Sequence, residues 1–433
     1  MCALGISFRF LHAADLHLDS PFRGLSKAPE AVREQLEAST FEAVRRLTEA
    51  AIEERVDFIV IAGDLYDSAD RSLRAQLALV REWERLREAG VAVYAIHGNH
   101  DHLGGDRAQL DLPSNVHIFG AGQVDCQPAF SRTGELAAHI YGMSYGQRAE
   151  MRNMAAHYRP LAGAPYHIAL LHGHAGGDAG HDPYAPCTVQ ELAASGFHYW
   201  ALGHIHKRGV LHEYPHIVYP GNIQGRNPKE TGPKGCFLVE VSEEGRTELQ
   251  FVPLDSVRWT ERSVSIEGHT TEQELLRELR QAAAAVREEQ HGRAVMLRLK
   301  LIGRGSLYRT TAQQATLAAL LEELQAEEEP MPGAPWLYCY ALTAETGAVI
   351  DWDTLAGEDS FAGELLRLSE RLLSSEGDWR AFASAALEDA RLHPKLGRIG
   401  REKWERPPAE WLQEARELAL GMIVQGGSSR REG

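Results

Sequence analysis

The stretch His97-Gly98-Asn99-His100-Asp101 follows the apolar, β-branched run Val91-Ala92-Val93-Tyr94-Ala95-Ile96. A buried strand gives way there to a loop. Its glycine permits a sharp turn, and the next three residues offer an amide oxygen, an imidazole and a carboxylate. Those donors suit a hard metal ion better than they suit a core. Gly-Asn is also ordinary turn chemistry, so the motif gains weight only from repetition. Asp15-x-His17, Gly63-Asp64-x-x-Asp67, His172 and Gly203-His204-x-His206 repeat it, each after a predicted strand.

Outward from that stretch, the N-terminal part alternates strand and helix. Strands are predicted at 7–14, 57–62 and 91–96, with amphipathic helices at 31–55 and 72–89 between them. Strands apolar throughout argue for an α/β fold with a parallel or mixed sheet covered by helices. Short strands follow at 116–119, 138–141, 167–171, 199–202, 217–219, 235–241 and 249–252, with helices at 147–158 and 188–195. In such folds ligands gather at the carboxyl ends of strands, so five loops spread over nearly 200 residues can converge.

A chain of 433 residues exceeds one compact core. The reading gives a domain at 1–260, a small α+β domain at 261–350, a helical region at 351–425 and a disordered tail at 426–433. In the second domain, helices 272–289 and 311–327 alternate with strands 294–302 and 336–342. In the third, Phe361, Leu365, Leu368 and Leu372 share one helical spacing, as do Trp411, Ala415, Leu418 and Met422.

The five cysteines are scattered and form no Cys-x-x-Cys pair, which excludes a disulfide framework or zinc ribbon and points to reduced thiols in a cytoplasm. No apolar run approaches the ~20 residues that span a bilayer. The formal charge is -16, shared equally between residues 1–260 and 261–433. Strong autonomous nucleic-acid binding usually needs a basic protein, so a polyanion would have to be met by metal ions, a local basic patch or a partner.

The ordered ligand set resembles the calcineurin-like metallophosphoesterase superfamily. The stretches at 10–22, 172–186 and 219–232 resemble its YhaO branch of bacterial DNA repair exonucleases, related to SbcD. The resemblance implies a four-layer α-β-β-α sandwich with a small α+β capping domain and C-terminal helices. It implies that Asp15, His17, Asp64 and His206 hold one divalent ion, and that Asp64 bridges to a second held with Asn99, His172 and His204. His100 would be the catalytic histidine near the leaving group, with Asp101 orienting or polarising it. Donors without thiolate favour Mn2+, iron or a mixed site over structural zinc. The layout further implies DNA as substrate, helices docking on an SMC-like coiled-coil ATPase, and homodimers formed through the nuclease domain. No phosphate-loop motif occurs here, so the ATPase would be a separate polypeptide.

Between residues 201 and 240 the charge balance reverses locally, and Arg226, Lys229 and Lys234, with Lys207 and Arg208, are expected to contact DNA phosphates. Two other readings are a phosphodiesterase or phosphatase for small phosphoesters, and a catalytically silent interaction subunit. The intact ligand set disfavours the last.

Overall fold

The computed structural model describes residues 5–22, 28–68, 72–105, 110–176, 184–290, 292–326, 335–388 and 408–424. The expected tail at 426–433, and His181 and Asp182 of the 172–186 stretch, lie outside them.

The first sheet has the order β12-β11-β1-β2-β3-β4, from β1 (Phe8–Ala13), β2 (Phe58–Ala62), β3 (Ala92–Ile96), β4 (Val116–Ile118), β11 (Gly235–Val241) and β12 (Thr247–Pro253). β1 to β4 run parallel, while β11 pairs antiparallel with both β1 and β12, so the sheet is mixed. The second has the order β5-β6-β7-β8-β10-β9, from β5 (Asp125–Phe130), β6 (Leu136–Gly142), β7 (His167–His172), β8 (Tyr199–Gly203), β9 (Gly209–Glu213) and β10 (His216–Tyr219).

Alternation of side chains along each strand explains the layers. Phe10, Phe58, Val60 and Tyr94 of the first sheet meet Ile168, Leu170, Tyr199 and Ala201 of the second in one buried cluster. On the outer face of the first sheet, Leu11, Ile59, Ile61 and Val93 pack with Val44 and Leu47 of α1 (Glu30–Glu53) and Leu79 and Trp83 of α2 (Leu73–Glu88). On the outer face of the second, Ala169, Leu171, Trp200 and Leu202 pack with Leu192 of α3 (Val189–Ala193) and Met154. The result is a four-layer α-β-β-α sandwich. Ser72 caps α2 by accepting from the Ala75 amide at 3.0 Å, and Gly90, at φ +71°, follows its end.

Three strands escaped the sequence reading, β5, β9 and β13 (Val257–Ser265), and all are sheet edges. β5 carries Pro128 and β9 is largely exposed, so neither shows the apolar pattern of a central strand. The helix expected at 147–158 is only a 3-10 turn at Met154–His157. Glu150 there binds the backbone and guanidinium of Arg152, and its carbonyl accepts from Ala185 at 2.7 Å, contacts that compete with a helix.

β13 (Val257–Ser265), β14 (Ala294–Arg304) and β15 (Leu337–Gly347) form a third sheet. The chain divides into two compact units, Met1–Thr260 with Arg287–Leu297 and Glu328–Tyr340, and Glu261–Val286 with Arg298–Glu327 and Ala341–Gly433. In the first unit Val257, Trp259, Met296, Trp336 and Tyr338 bury against Val32 and Leu36 of α1.

The second unit contains α4 (Glu272–Glu289) up to Val286, α5 (Tyr308–Thr311), α6 (Gln314–Ala326), α7 (Trp352–Gly357), α8 (Phe361–Ser374), α9 (Glu376–Ala386) and α10 (Ala409–Val424). Its core joins Ile350, Leu355, Ala362, Leu366 and Leu420. That divides the expected stripes, because Leu365 packs against this core, and Leu372 and Trp411 against a second one around Trp379 and Leu412. Phe361, Leu368 and Leu418 are 71%, 42% and 65% exposed, and the buried faces run through Ala362, Leu366 and Ser369 on α8 and through Leu412 and Leu420 on α10. Both helices carry two apolar stripes, and spacing alone does not choose between them. No helix among the described residues is long and apolar enough to cross a membrane.

His12 on β1 is fully buried, with Nδ1 3.0 Å from the Tyr199 hydroxyl. Burial pushes its pKa down to about 3, against a weaker opposing hydrogen bond from Leu202. The unfolded chain takes up this proton near pH 6.5 and the folded chain does not. Stability should therefore fall on acidification from pH 6.5 towards 3, by about 1.4 kcal/mol per pH unit from this group. Urea midpoints at pH 7 and pH 5 should differ less for His12→Gln than for wild type.

Candidate metal centre

The five loops do converge, at the carboxyl ends of β1, β2, β3, β7 and β8. Pairing continues past the strands, with amide-to-carbonyl bonds from Asp15 to Gly63 (3.0 Å), His17 to Asp64 (3.0 Å) and Gly173 to Gly203 (3.2 Å). The two sheets also meet here, since His172 Nδ1 lies 2.9 Å from the Ala62 carbonyl. Asp15, His17, Asp64 and His204 all adopt positive φ (52°, 42°, 51° and 96°). Non-glycine residues seldom do so, at a cost of about 1–3 kcal/mol each, and such outliers concentrate at functional sites.

The donors form overlapping groups. Asp15, His17 and His206 bring ligand atoms within 4.8 Å of one another, as do Asp15, Asp64 and His172. His172 Nε2 stands 3.4 Å from Asp64 Oδ2 and 3.0 Å from Asn99 Oδ1. His17 Nε2 lies 3.5 Å from Asp64 Oδ2, and His206 Nε2 lies 3.9 Å from Asp15 Oδ1. The His204 amide donates to both Asp15 oxygens at 3.1 Å, and its ring centroid is 5.3 Å from that of His172. Gly98 must lack a side chain, because a Cβ would lie 2.7 Å from His172 Nε2 and against Asp64 Oδ1.

These residues fit a pair of divalent cations. His17 Nε2 and His206 Nε2 face each other at 3.1 Å, where at most one can donate, with carboxylate oxygens of Asp64 and Asp15 beside them. Asp15 and Asp64 are both buried. Burial pushes the Asp15 carboxyl up, and His206 and His172 only partly offset it. Burial also opposes ionisation of Asp64, but His172, His17 and His100 outweigh it and hold that carboxyl well below the usual range. Burial and Arg226 push His17 down to about 3, leaving it neutral as a ligand must be.

Other expected residues take different places. The Asp101 carboxylate accepts from the Leu65 amide (3.0 Å), the Gly98 amide (2.8 Å) and His97 Nδ1 (2.8 Å), and so pins the glycine turn. The residue that holds His100 is Asp67, whose carbonyl lies 3.0 Å from His100 Nδ1. Asp67 also places Oδ1 3.1 Å from His17 Nδ1.

Arg226 and Lys234, expected on a phosphate-binding surface, turn inward. Arg226 is paired with Asp67 and donates to Ser20 Oγ at 3.0 Å, while Lys234 donates to the His206 carbonyl at 3.1 Å. Lys229 is exposed, as are Lys207 and Arg208. Glu230 was missed by sequence reasoning. Its Oε1 lies 2.8 Å from His206 Nδ1, and although burial opposes its charge, His206 and Arg226 bring its pKa down to about 2. The one available signal was an acid standing in an otherwise basic loop.

A family model described as calcineurin-like phosphoesterase matches residues 8–208, and one described as the middle domain of metallophosphoesterase YhaO matches 259–347. The chain is 47% identical over 320 residues to a Bacillus subtilis protein named uncharacterized metallophosphoesterase YhaO, covering 74% of this chain and 78% of that protein. The chain belongs to the YhaO-type calcineurin-like metallophosphoesterases. Such a metallophosphoesterase is a metal-dependent phosphoesterase, and the converging donors are its candidate ligands. It is also 28% identical to the DNA double-strand break repair protein Mre11 of Methanopyrus kandleri, covering 63% of this chain and 62% of that protein. The Mre11 protein of Sulfurisphaera tokodaii is 26% identical, with 54% and 60% covered. The chain thus spans about three-fifths of the length of these Mre11 proteins.

Asp64 stands within reach of both His17 and His172, so Asp64→Asn should abolish retention of divalent metal by the chain. Elemental analysis after equilibration with a divalent metal and desalting measures this, and wild-type metal content in the variant would refute the placement of Asp64 among the ligands.

Proposed function

We propose that this metallophosphoesterase is a two-metal-dependent DNA exonuclease that hydrolyses phosphodiester bonds in DNA repair, in the cytoplasm and together with an SMC-like coiled-coil ATPase. The observation that carries the reading is the convergence of Asp15, His17, Asp64, Asn99, His172 and His206 in one centre, in a chain similar to Mre11 proteins. Asp15, His17, Asp64 and His206 would hold one cation, and Asp64, Asn99, His172 and His204 the other, with Mn2+ the ion that best suits this oxygen and imidazole set. When bound, two such cations offset the charge of a phosphodiester and activate water as the nucleophile.

His100 serves the leaving group. The Asp67 carbonyl can only accept, so Nδ1 of His100 keeps its proton, and only the doubly protonated ring, with a second proton on Nε2, could give one to the expelled oxygen. Asp101 keeps the turn in shape for Asn99 and His100 by fixing Gly98. With Arg226 and Lys234 committed inward, Lys207, Arg208 and Lys229 are the exposed cations of this region that remain to meet DNA phosphates. The second unit, with Phe361, Leu368 and Leu418 exposed, is the region proposed to dock on the ATPase. Pairing of two nuclease domains completes the proposed assembly.

His100→Ala should lower kcat by about 10²–10⁴-fold with manganese content unchanged, as expected for loss of a general acid. The deciding assay offers single-stranded DNA, double-stranded DNA and a small phosphodiester ester side by side with Mn2+. Preference for the small ester, with no cleavage of DNA even after adding the ATPase, would favour the small-phosphoester alternative instead.

A further inference from the structure

Arg226 lies in the loop following β10, and its contacts reach three separate parts of the chain. The guanidinium pairs with Asp67, in the loop after β2, and donates to Ser20, in the loop after β1. Its backbone amide donates to Glu230 Oε2 at 2.7 Å. The other Glu230 oxygen lies 2.8 Å from His206 Nδ1, and Asp67 Oδ1 lies 3.1 Å from His17 Nδ1. Each of these two histidines therefore has a carboxylate behind the ring nitrogen that does not face the other ring. One residue is bonded to both carboxylates. His17 and His206 belong to one candidate cation group with Asp15, and His17 also groups with Asp67 and His100, whereas His172 groups with Asp15 and Asp64 and lies beside Asn99.

The geometry points to Arg226 as a positioning residue that locks the outer carboxylates of one cation position only. The inference rests on the two-cation reading of the centre and adds to it a device that distinguishes its halves. Outer carboxylates fix the tautomer and orientation of ligating histidines, and disturbing such partners typically costs 10–100-fold in metal affinity. Both bonds, to Asp67 and to Ser20, leave the single nitrogen Nη1, and the rigid guanidinium plane fixes its direction, which a lysine ammonium on a flexible stem does not reproduce. Asn222 and Lys234 support the same loop, by donating to Glu230 Oε2 at 2.9 Å and to the His206 carbonyl at 3.1 Å.

Charge and position make opposite predictions here, which makes the inference testable. Arg226 is a cation close to a cation site, so if it acted only through its charge, removing it would tighten metal binding. If it acts by positioning, removing it weakens binding although the site becomes more negative. The experiment is calorimetric titration of the metal-free full-length chain with Mn2+, comparing wild type, Arg226→Met and Arg226→Lys. Two binding events are expected for wild type. In both variants one event should weaken by about 10–100-fold and the other should stay within about 3-fold. Tighter binding in Arg226→Met, wild-type binding in Arg226→Lys, or equal loss of both events in the two variants would each overturn the inference. Fewer than two events in the wild type would instead refute the two-cation reading.

Discussion

Two carboxylates, Asp15 and Asp64, are buried side by side where two β-sheets meet, and the rest of the centre answers to that constraint. Removing a carboxylate from water costs several kcal/mol unless pairing and hydrogen bonds compensate it. Asp64 has imidazoles of His17 and His172 within 3.5 Å and the His100 amide at 3.0 Å. Asp15 has the His204 amide and little else at hydrogen-bond distance, and its carboxyl stays raised. A bound cation is the group that would satisfy both. The backbone conforms to the same demand, since four of the donor residues hold left-handed φ and Gly98 leaves room for His172. Strain on that scale persists only where surrounding structure over-determines it, and the same strands carry Phe10, Phe58, Tyr94 and Tyr199 into one buried layer between the sheets.

What the sequence made legible follows from this arrangement. Strands buried on both faces read as unbroken apolar runs, so β1, β2, β3, β7 and β8 were found within a residue or two, and each delivers a donor loop at its end. The edge strands β5, β9 and β13 lack that pattern and escape it for that reason. On α8 and α10 the spacing was real but described two stripes, and which one becomes core depends on partners distant in sequence, such as Ile350 and Leu355.

The same limit governs the site. Asp15, His17, Asp64, Asn99, His172 and His206 are legible because each sits at a strand end in a recurring local pattern. Glu230 is not, and Asp67 is legible only as a member of Gly63-Asp64-x-x-Asp67, because the roles of both are set by what faces them across loops far apart in the chain. Arg226 and Lys234 show the converse error. A basic side chain in a loop is ordinarily solvated, yet here the Asp67 carboxylate and the His206 carbonyl draw these two inward. Local charge counting cannot distinguish a cation that neutralises its own protein from one that awaits a ligand.

That distinction bears on how an acidic protein of net charge -16 can meet a polyanion. Around the centre stand the carboxylates of Asp15, Asp64, Asp67 and Glu230, against the cations of Arg226 and Lys234, so the protein's own groups leave it negative. Two divalent ions would reverse that sign locally while the rest of the surface stays acidic. Because field lines concentrate in a cleft, such a reversal would confine phosphate attraction to the catalytic centre instead of spreading it over a basic face. Non-specific duplex binding, which depends on many lysine and arginine contacts, would then be weak in the isolated chain. Extended contact with DNA would fall to a partner, and the ligands that make hydrolysis feasible would also make the cleft attractive to phosphate.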